Sequence, residues 1–290
     1  MKLTPLHDSA LLRRIESALR EDIGTGDITT QCTVPPDLPG KGTFIAKANG
    51  VLSGVEVAAT VLHLVDDSLI IDAHVTDGMP VLRGMTIASV HGPLASMLTA
   101  ERTALNFLQR MSGIATITAS FVKLVDGTGV RIMDTRKTVP GLRFFDKAAV
   151  THGRGSNHRF GLDDMVLIKD NHIAVAGGLR SAVELVAARL PLDSSIRIEV
   201  ETASLNDVIE ALSCERLDVV MLDNFTLDEM ATAVKLIRSR KPELKIEASG
   251  NVNEQNVRAI AETGVDMISV GALTHSVKAL DISFDIIREE

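Results

Sequence analysis

Cations gather where short apolar runs end. The run VRIMD stops at Asp134 and leads into Thr135, Arg136 and Lys137, and the run MVLIK stops on Lys169. Between residues 131 and 172 eight Lys and Arg stand against five Asp, a surplus of three positive charges within a chain of net charge −8. The remainder of the chain therefore carries −11. The same window holds His152, His158 and His172. Cations concentrated in an acidic chain suit a small, highly anionic ligand and steer it locally. The plainer alternative is a solvated basic loop. Against it stands the position of Arg136, Lys137 and Lys169 at strand ends, where charge faces the mouth of a β/α barrel.

Two acids end later runs, Glu201 after IRIEV and Asp223 after VVML. Carboxylates from neighbouring strand ends can hold ribose hydroxyls or share a magnesium–phosphate substrate. They can equally pair with Lys or cap the next helix. Glu199 and Glu201 lie on the same side of an alternating strand, so the pattern does not choose between them. Two glycine signals follow, Ser249-Gly250-Asn251 and Val270-Gly271-Ala272, each after an apolar run. Gly allows close backbone approach, and N–H groups at a following helix start bind phosphate. Tight turns without ligand are the plainer reading of either one alone. Lys169 at a strand end also has a Schiff-base reading, and a non-catalytic sensor of a phosphoribosyl ligand is a further alternative.

The elements that must position these groups fall into two textures. Residues 9–21 and 93–111 have helical apolar spacing, residues 24–36 are rich in turn formers, and residues 41–92 alternate short strands with one helix near 54–65. That first third is α+β. Beyond about residue 112, six short apolar runs alternate with helical patterns at 178–190, 204–213, 227–240 and 253–263, which predicts a parallel α/β architecture. Six strands are short of eight, so an incomplete TIM-like barrel fits best, with its chemistry at the carboxyl ends of the strands.

Composition limits the alternatives. The chain has 290 residues, 45% apolar and 3% aromatic, with eight Phe, no Tyr and no Trp. No phenol is available as an acid, no indole as a sugar platform, and only Phe for base stacking. An acidic chain without a basic tail is a poor nucleic-acid binder. Cys32 and Cys214 are far apart and read as two buried thiols of a reducing compartment. The N-terminal residues carry charge and no apolar core, and the most apolar stretch, Val51 to Val65, is too short and polar to span a bilayer. A soluble cytoplasmic protein with no membrane partner is the expectation.

Several segments resemble the quinolinate phosphoribosyltransferase family. They are Asp134-Thr135-Arg136-Lys137-Thr138 with Pro140-Gly141, Asn157-His158-Arg159, and Leu167-Ile168-Lys169-Asp170-Asn171-His172. Glu199-Val200-Glu201, Leu222-Asp223-Asn224, Ser249-Gly250-Asn251 and Val270 to Ser276 follow in the same order, and Ala18 to Asp27 and Ala100 to Asn106 match before them. The resemblance covers nearly the whole chain. It implies a phosphoribosyl transfer from 5-phosphoribosyl-1-pyrophosphate to quinolinate with decarboxylation, using Mg2+, in de novo NAD biosynthesis. It implies an N-terminal open sandwich over residues 1–111, rejoined by a C-terminal helix at 276–290, and a barrel over 112–275. It also implies a homodimer in which Arg102 reaches the neighbouring site, with assembly beyond a dimer left open.

By the same resemblance, Arg102, Arg136 and Arg159 clamp the two carboxylates, with His158 nearby. Lys137 and Lys169 meet carboxylate or pyrophosphate oxygens. Glu201 and Asp223 hold ribose hydroxyls and, through substrate and water, magnesium. Thr135 lies in the same motif, and the backbone at Ser249, Gly250, Asn251, Val270, Gly271 and Ala272 takes the 5-phosphate. The related molybdenum-operon protein fits less well, because Arg102, Arg159 and Lys169-Asp170-Asn171-His172 are intact, and a nicotinate-type transferase needs fewer carboxylate-binding Arg. The chain departs from the family pattern at Arg154, within a usual glycine triplet, at Asp146 in place of Glu and at Ala148 in place of Tyr.

Overall fold

The computed structural model describes residues 1–288 and divides into two compact units. The first comprises Met1–Ala119, Thr138–Arg154 and the chain from Leu273 onward; the second comprises Ser120–Lys137 and Gly155–Ala272. Five strands of the first unit are β1 (Pro39–Ala46), β2 (Gly50–Val51), β3 (Ile70–Ala73), β4 (Pro80–Val81) and β5 (Thr86–Pro93). The second unit supplies β6 (Arg131–Met133), β7 (Val166–Ile168), β8 (Ile198–Thr202), β9 (Val219–Asp223), β10 (Lys245–Ser249) and β11 (Met267–Ser269). A last strand, β12 (Ile282–Arg288), belongs to the first unit again.

The first unit is built on an antiparallel sheet in the order β12-β1-β5-β3. Alternate residues of β1, from Gly40 to Ala46, are buried, as period-two patterning requires. Two of them are Gly because the neighbours demand it: a Cβ on Gly42 would collide with the Phe284 ring, and one on Gly40 with Leu94. Phe44 then packs on Phe284 with ring centroids 4.4 Å apart.

That pairing corrects the expected C-terminal helix. Residues 282–288 form a strand antiparallel to β1, with Ala46 opposite Ile282 and Gly40 opposite Arg288. Ile282, Phe284 and Ile286 alternate on one face, and β-branched and aromatic residues favour a pleated, half-buried surface over a helix. Residues 289–290 of that expectation lie outside the described residues. The turn-rich reading of 24–36 also gives way to a short helix, Ile28–Thr33, whose first turn is capped by Asp27 accepting from the Thr30 N–H. Cys32, on that helix, is exposed, whereas Cys214 is buried as expected.

Residues 138–154 lie in the first unit, not in the barrel as the 112–275 boundary would have it. The helix Leu94–Leu124 extends well past residue 111, and its middle turns hold the helix Arg143–His152. Phe107 and Phe145 stack at 4.9 Å, and Arg110 donates from Nε and Nη2 to both oxygens of the fully buried Asp146 at 2.9 and 2.8 Å. At the helix end the His152 Nδ1 and Ser53 hydroxyl are 2.7 Å apart. Asp146, one of the departures from the family pattern, is thus anchored by a bidentate guanidinium, which fixes direction as well as contact.

In the second unit all six strands are parallel, in the order β6-β11-β10-β9-β8-β7. The six strands are those expected from the sequence, and the α/β class with an incomplete barrel stands. β6 and β7 are the two edges of this sheet. Along the outer edge of β6 runs residue Ser156, bridged to Met133, with Ser156 N–H donating to Ile132 O and Asp134 N–H to Ser156 O. No described helix is long and apolar enough to cross a membrane.

Candidate active site

Parallel strands all deliver their carboxyl ends to one edge, so residues far apart in sequence converge there. A cavity of about 650 Å³ opens at that edge of the second unit. It is lined by Thr135, Arg136, Lys137, His158, Arg159, Lys169, Glu201, Asp223, Ser249, Gly250 and Asn251, all expected from the sequence. Leu167, Met221, Asn224, Glu247 and Ser269 also line it.

One wall is cationic. Arg159 is nearly buried, and its Nη1 donates to the Met165 carbonyl at 3.1 Å, just before β7. Burial first, and the Arg136 charge second, lower its pKa from the ordinary arginine value. The Arg136 Nε is buried without a hydrogen-bond partner. Two guanidinium groups close enough to repel gain from an incoming anion that bridges them. Thr135 shapes the approach, its hydroxyl accepting from the Lys137 N–H at 3.0 Å.

The other wall is acidic. The Lys169 Nζ lies 3.5 Å from Glu201 Oε2. Burial raises the Glu201 pKa, Lys169 opposes that, and the charges of Asp223 and Asp170 add to it. Asp223 ends β9 and accepts from the Asn224 amide at 2.7 Å. Asn224 in turn receives the Asn251 amide on Oδ1 at 3.1 Å. Asn224 (φ 57°), Gly250 (φ 94°) and Asn251 (φ 50°) all sit in the left-handed region. Asn tolerates it better than most side chains, but Gly250 is required, since a Cβ there would strike Asn224 Oδ1.

Beneath the cavity lies a buried group of ionisable residues. His158 Nε2 is 3.1 Å from Glu199 Oε2 and 3.4 Å from Glu247 Oε2, both carboxylates being almost wholly inaccessible. Burial opposes a charge on His158, whereas the two carboxylates favour one and raise its pKa. A second ring proton has no room, however, because Nδ1 accepts from the Arg159 N–H at 2.7 Å. The ring is therefore the Nε2–H tautomer. Proton affinity shifts to the carboxylate side, where burial first and the Glu247 charge second raise the Glu199 pKa. Taking such charges out of water costs several kcal/mol per ion, which an apolar barrel interior would avoid.

The structure settles the choice that alternation left open: Glu201 lines the cavity, and Glu199, on the same side of β8, is buried below it. Glu247 and Ser269 were missed, although each stands two residues before a strand-end residue already singled out, on the same face. Asn224 stood in a quoted motif without a role. Val270, Gly271 and Ala272 do not line the cavity. Val270 is buried and its N–H donates to Met133 O at 2.9 Å, so it serves the framework. Arg102 is exposed on the helix Leu94–Leu124 of the first unit and is not among the lining residues.

Residues 27–112 match the N-terminal domain, and residues 114–285 the C-terminal domain, of quinolinate phosphoribosyl transferase. The chain belongs to the quinolinate phosphoribosyl transferase family. Among curated members, a probable nicotinate-nucleotide pyrophosphorylase (carboxylating) from Synechocystis sp. is 44% identical, covering 94% of this chain and 92% of that protein. The nicotinate-nucleotide pyrophosphorylase (carboxylating) of Mycobacterium leprae is 42% identical, over 94% and 95%. Among solved structures, the nicotinate-nucleotide pyrophosphorylase of Francisella tularensis superposes with a TM-score of 0.90 at 39% identity, covering 97% of this chain and 98% of that one. For this quinolinate phosphoribosyl transferase family member, both domain matches and a solved relative thus cover nearly the whole chain.

Proposed function

We propose that this protein transfers the phosphoribosyl group of 5-phosphoribosyl-1-pyrophosphate to quinolinate and decarboxylates the product, releasing pyrophosphate, carbon dioxide and nicotinate mononucleotide. The observation that carries the reading is the pair Arg136 and Arg159, held against each other's charge in a cavity whose facing wall is Glu201 and Asp223. A dianionic pyridine meets the guanidinium forks, for which bidentate geometry suits Arg better than Lys. Lys137 and Lys169 meet the remaining carboxylate or pyrophosphate oxygens. The acids hold the ribose hydroxyls and stabilise the positive charge that develops on the sugar as pyrophosphate leaves.

The pyridine nitrogen donates its pair to the anomeric carbon, and the carbon–oxygen bond to pyrophosphate breaks. The resulting pyridinium accepts the electron pair left at C2 when carbon dioxide departs, and a proton then takes its place. The protein's task is to position and screen these charges. The backbone of Ser249, Gly250 and Asn251 is suited to the 5-phosphate.

Magnesium belongs to this reading. Glu201 and Asp223 offer hard oxygen donors from neighbouring strands, a set that fits the ion. Two carboxylates do not complete an octahedron, so they would hold it through substrate oxygens and water, where it screens pyrophosphate charge. The reading also includes a cytoplasmic homodimer in which Arg102 of one subunit completes its neighbour's carboxylate clamp. Incubation with quinolinate, magnesium and the phosphoribosyl donor should release pyrophosphate and carbon dioxide in equal amounts. Pyrophosphate alone, or no turnover, would overturn the assignment.

A further inference from the structure

The segment that carries Arg159 lies outside the six-stranded sheet. Among the described residues it is bridged to a strand at Ser156 with Met133, and side chains hold it further along. His158 does this from three directions. Its backbone N–H donates to the buried Asp134 Oδ1 at 2.9 Å, its Nδ1 accepts from the Arg159 N–H at 2.7 Å, and its Nε2 reaches Glu199 on β8 and Glu247 on β10. The ring therefore ties the 156–159 segment to β8 and β10.

We propose that Glu199 and Glu247 are positioning residues that, through the imidazole of His158, hold the turn aiming Arg159 at the carboxylates of the pyridine substrate. This rests on the reading of the cavity as a quinolinate site. Three observations support it. Among the described residues, neither oxygen of Glu199 nor Oε1 of Glu247 has a hydrogen-bond partner, so the close Nε2 contacts of His158, with the Arg159 charge behind them, are what offset the burial of these acids. The space beneath the group, which Met133, Met165, Val219, Met267 and Arg197 also line, is about 10 Å³, so the ring cannot sink deeper away from the carboxylates. Finally, Glu199 lies two residues below Glu201 on β8 and Glu247 two below Ser249 on β10. The brace thus sits one layer beneath the groups assigned to ribose and phosphate, and bonds to the arginine segment instead.

The test is Glu199→Ala and Glu247→Ala in the full chain, which remove the acceptor oxygens, with thermal unfolding followed alongside steady-state kinetics for both substrates. The KM for quinolinate should rise on the order of 10- to 100-fold, as for misaligned groups elsewhere, while the KM for the phosphoribosyl donor moves less than about 2-fold. Equal rises in both KM values, a fall in kcat alone, or unchanged kinetics would overturn the proposal. Nitrogen-15 spectra of the histidine rings in the ligand-free wild-type protein give a reading that needs neither variant to fold. They should show His158 protonated at Nε2 and bare at Nδ1; a bare Nε2, which offers the carboxylates no donor, would also overturn it. Should the wild-type protein fail to turn over quinolinate, the functional assignment falls, and the ring spectra still decide whether the brace exists.

Discussion

The Asn251 amide donates to Asn224 Oδ1 at 3.1 Å, and Asn224 passes its own amide to Asp223 at 2.7 Å. An acid assigned to ribose is thereby tied to the loop assigned to phosphate. The link has a backbone basis, since Asn224 and Asn251 both adopt left-handed angles and Gly250 between the two strand ends has no Cβ to obstruct them.

Breaking that link should weaken the phosphoribosyl donor selectively. Asn224→Ala leaves Asp223 without its amide partner and should raise the KM for the donor about 10-fold, with the quinolinate KM nearly unchanged. Gly250→Ala should be worse, because it adds a collision to a left-handed residue costing about 1–2 kcal/mol. Its unfolding temperature should fall along with donor affinity. Initial-rate kinetics and thermal unfolding check both, and a selective loss of quinolinate binding would contradict the assignment of this loop.

Arg154 takes up left-handed angles too, with φ 65°, in a segment where the family pattern has glycine. It is exposed and does not line the cavity. Arg154→Gly relieves about 1–2 kcal/mol of backbone strain, of which glycine's greater unfolded-state freedom returns about 0.5–1 kcal/mol. A small rise in unfolding temperature with unchanged KM values is expected. A raised KM for the phosphoribosyl donor would instead show that its cation is used in binding.

Arg102 offers a test of the shared site. Arg102→Ala and Arg136→Ala should each abolish most turnover while leaving the fold intact, because each removes one fork of the proposed clamp. After subunit exchange between the two variants, hybrid dimers would contain one complete site, and activity should return in part. No recovery despite demonstrated exchange would place Arg102 in its own chain's site.

Much of the cavity was legible in the sequence for a local reason. A buried parallel strand is a continuous apolar run, and the first polar residue after it marks the edge where ligands bind. Lys169 and Asp223 follow that rule, whereas an inner acid, Glu199 or Glu247, interrupts the runs that end at Glu201 and Ser249. The eleven-charge imbalance outside the 131–172 window pointed the same way, since a local cation surplus survives whatever the fold does with the remaining chain. The absence of Tyr and Trp removed phenol and indole chemistry from the site.

Other features were decided by tertiary structure alone. Glu199 and Glu201 share a strand face, and depth distinguishes them: Glu199 is buried among Met133, Met165, Val219 and Met267, and Glu201 lines the cavity. His158 meets Glu247 across nearly ninety residues of sequence, a contact that depends on the sheet order and not on spacing. The C-terminal strand needed β1 as a partner, because an edge is supplied by another part of the chain. Local pattern determines what each segment prefers and which of its faces is apolar; depth, pairing and the choice between equivalent positions belong to the packed molecule, where register and neighbours are set together.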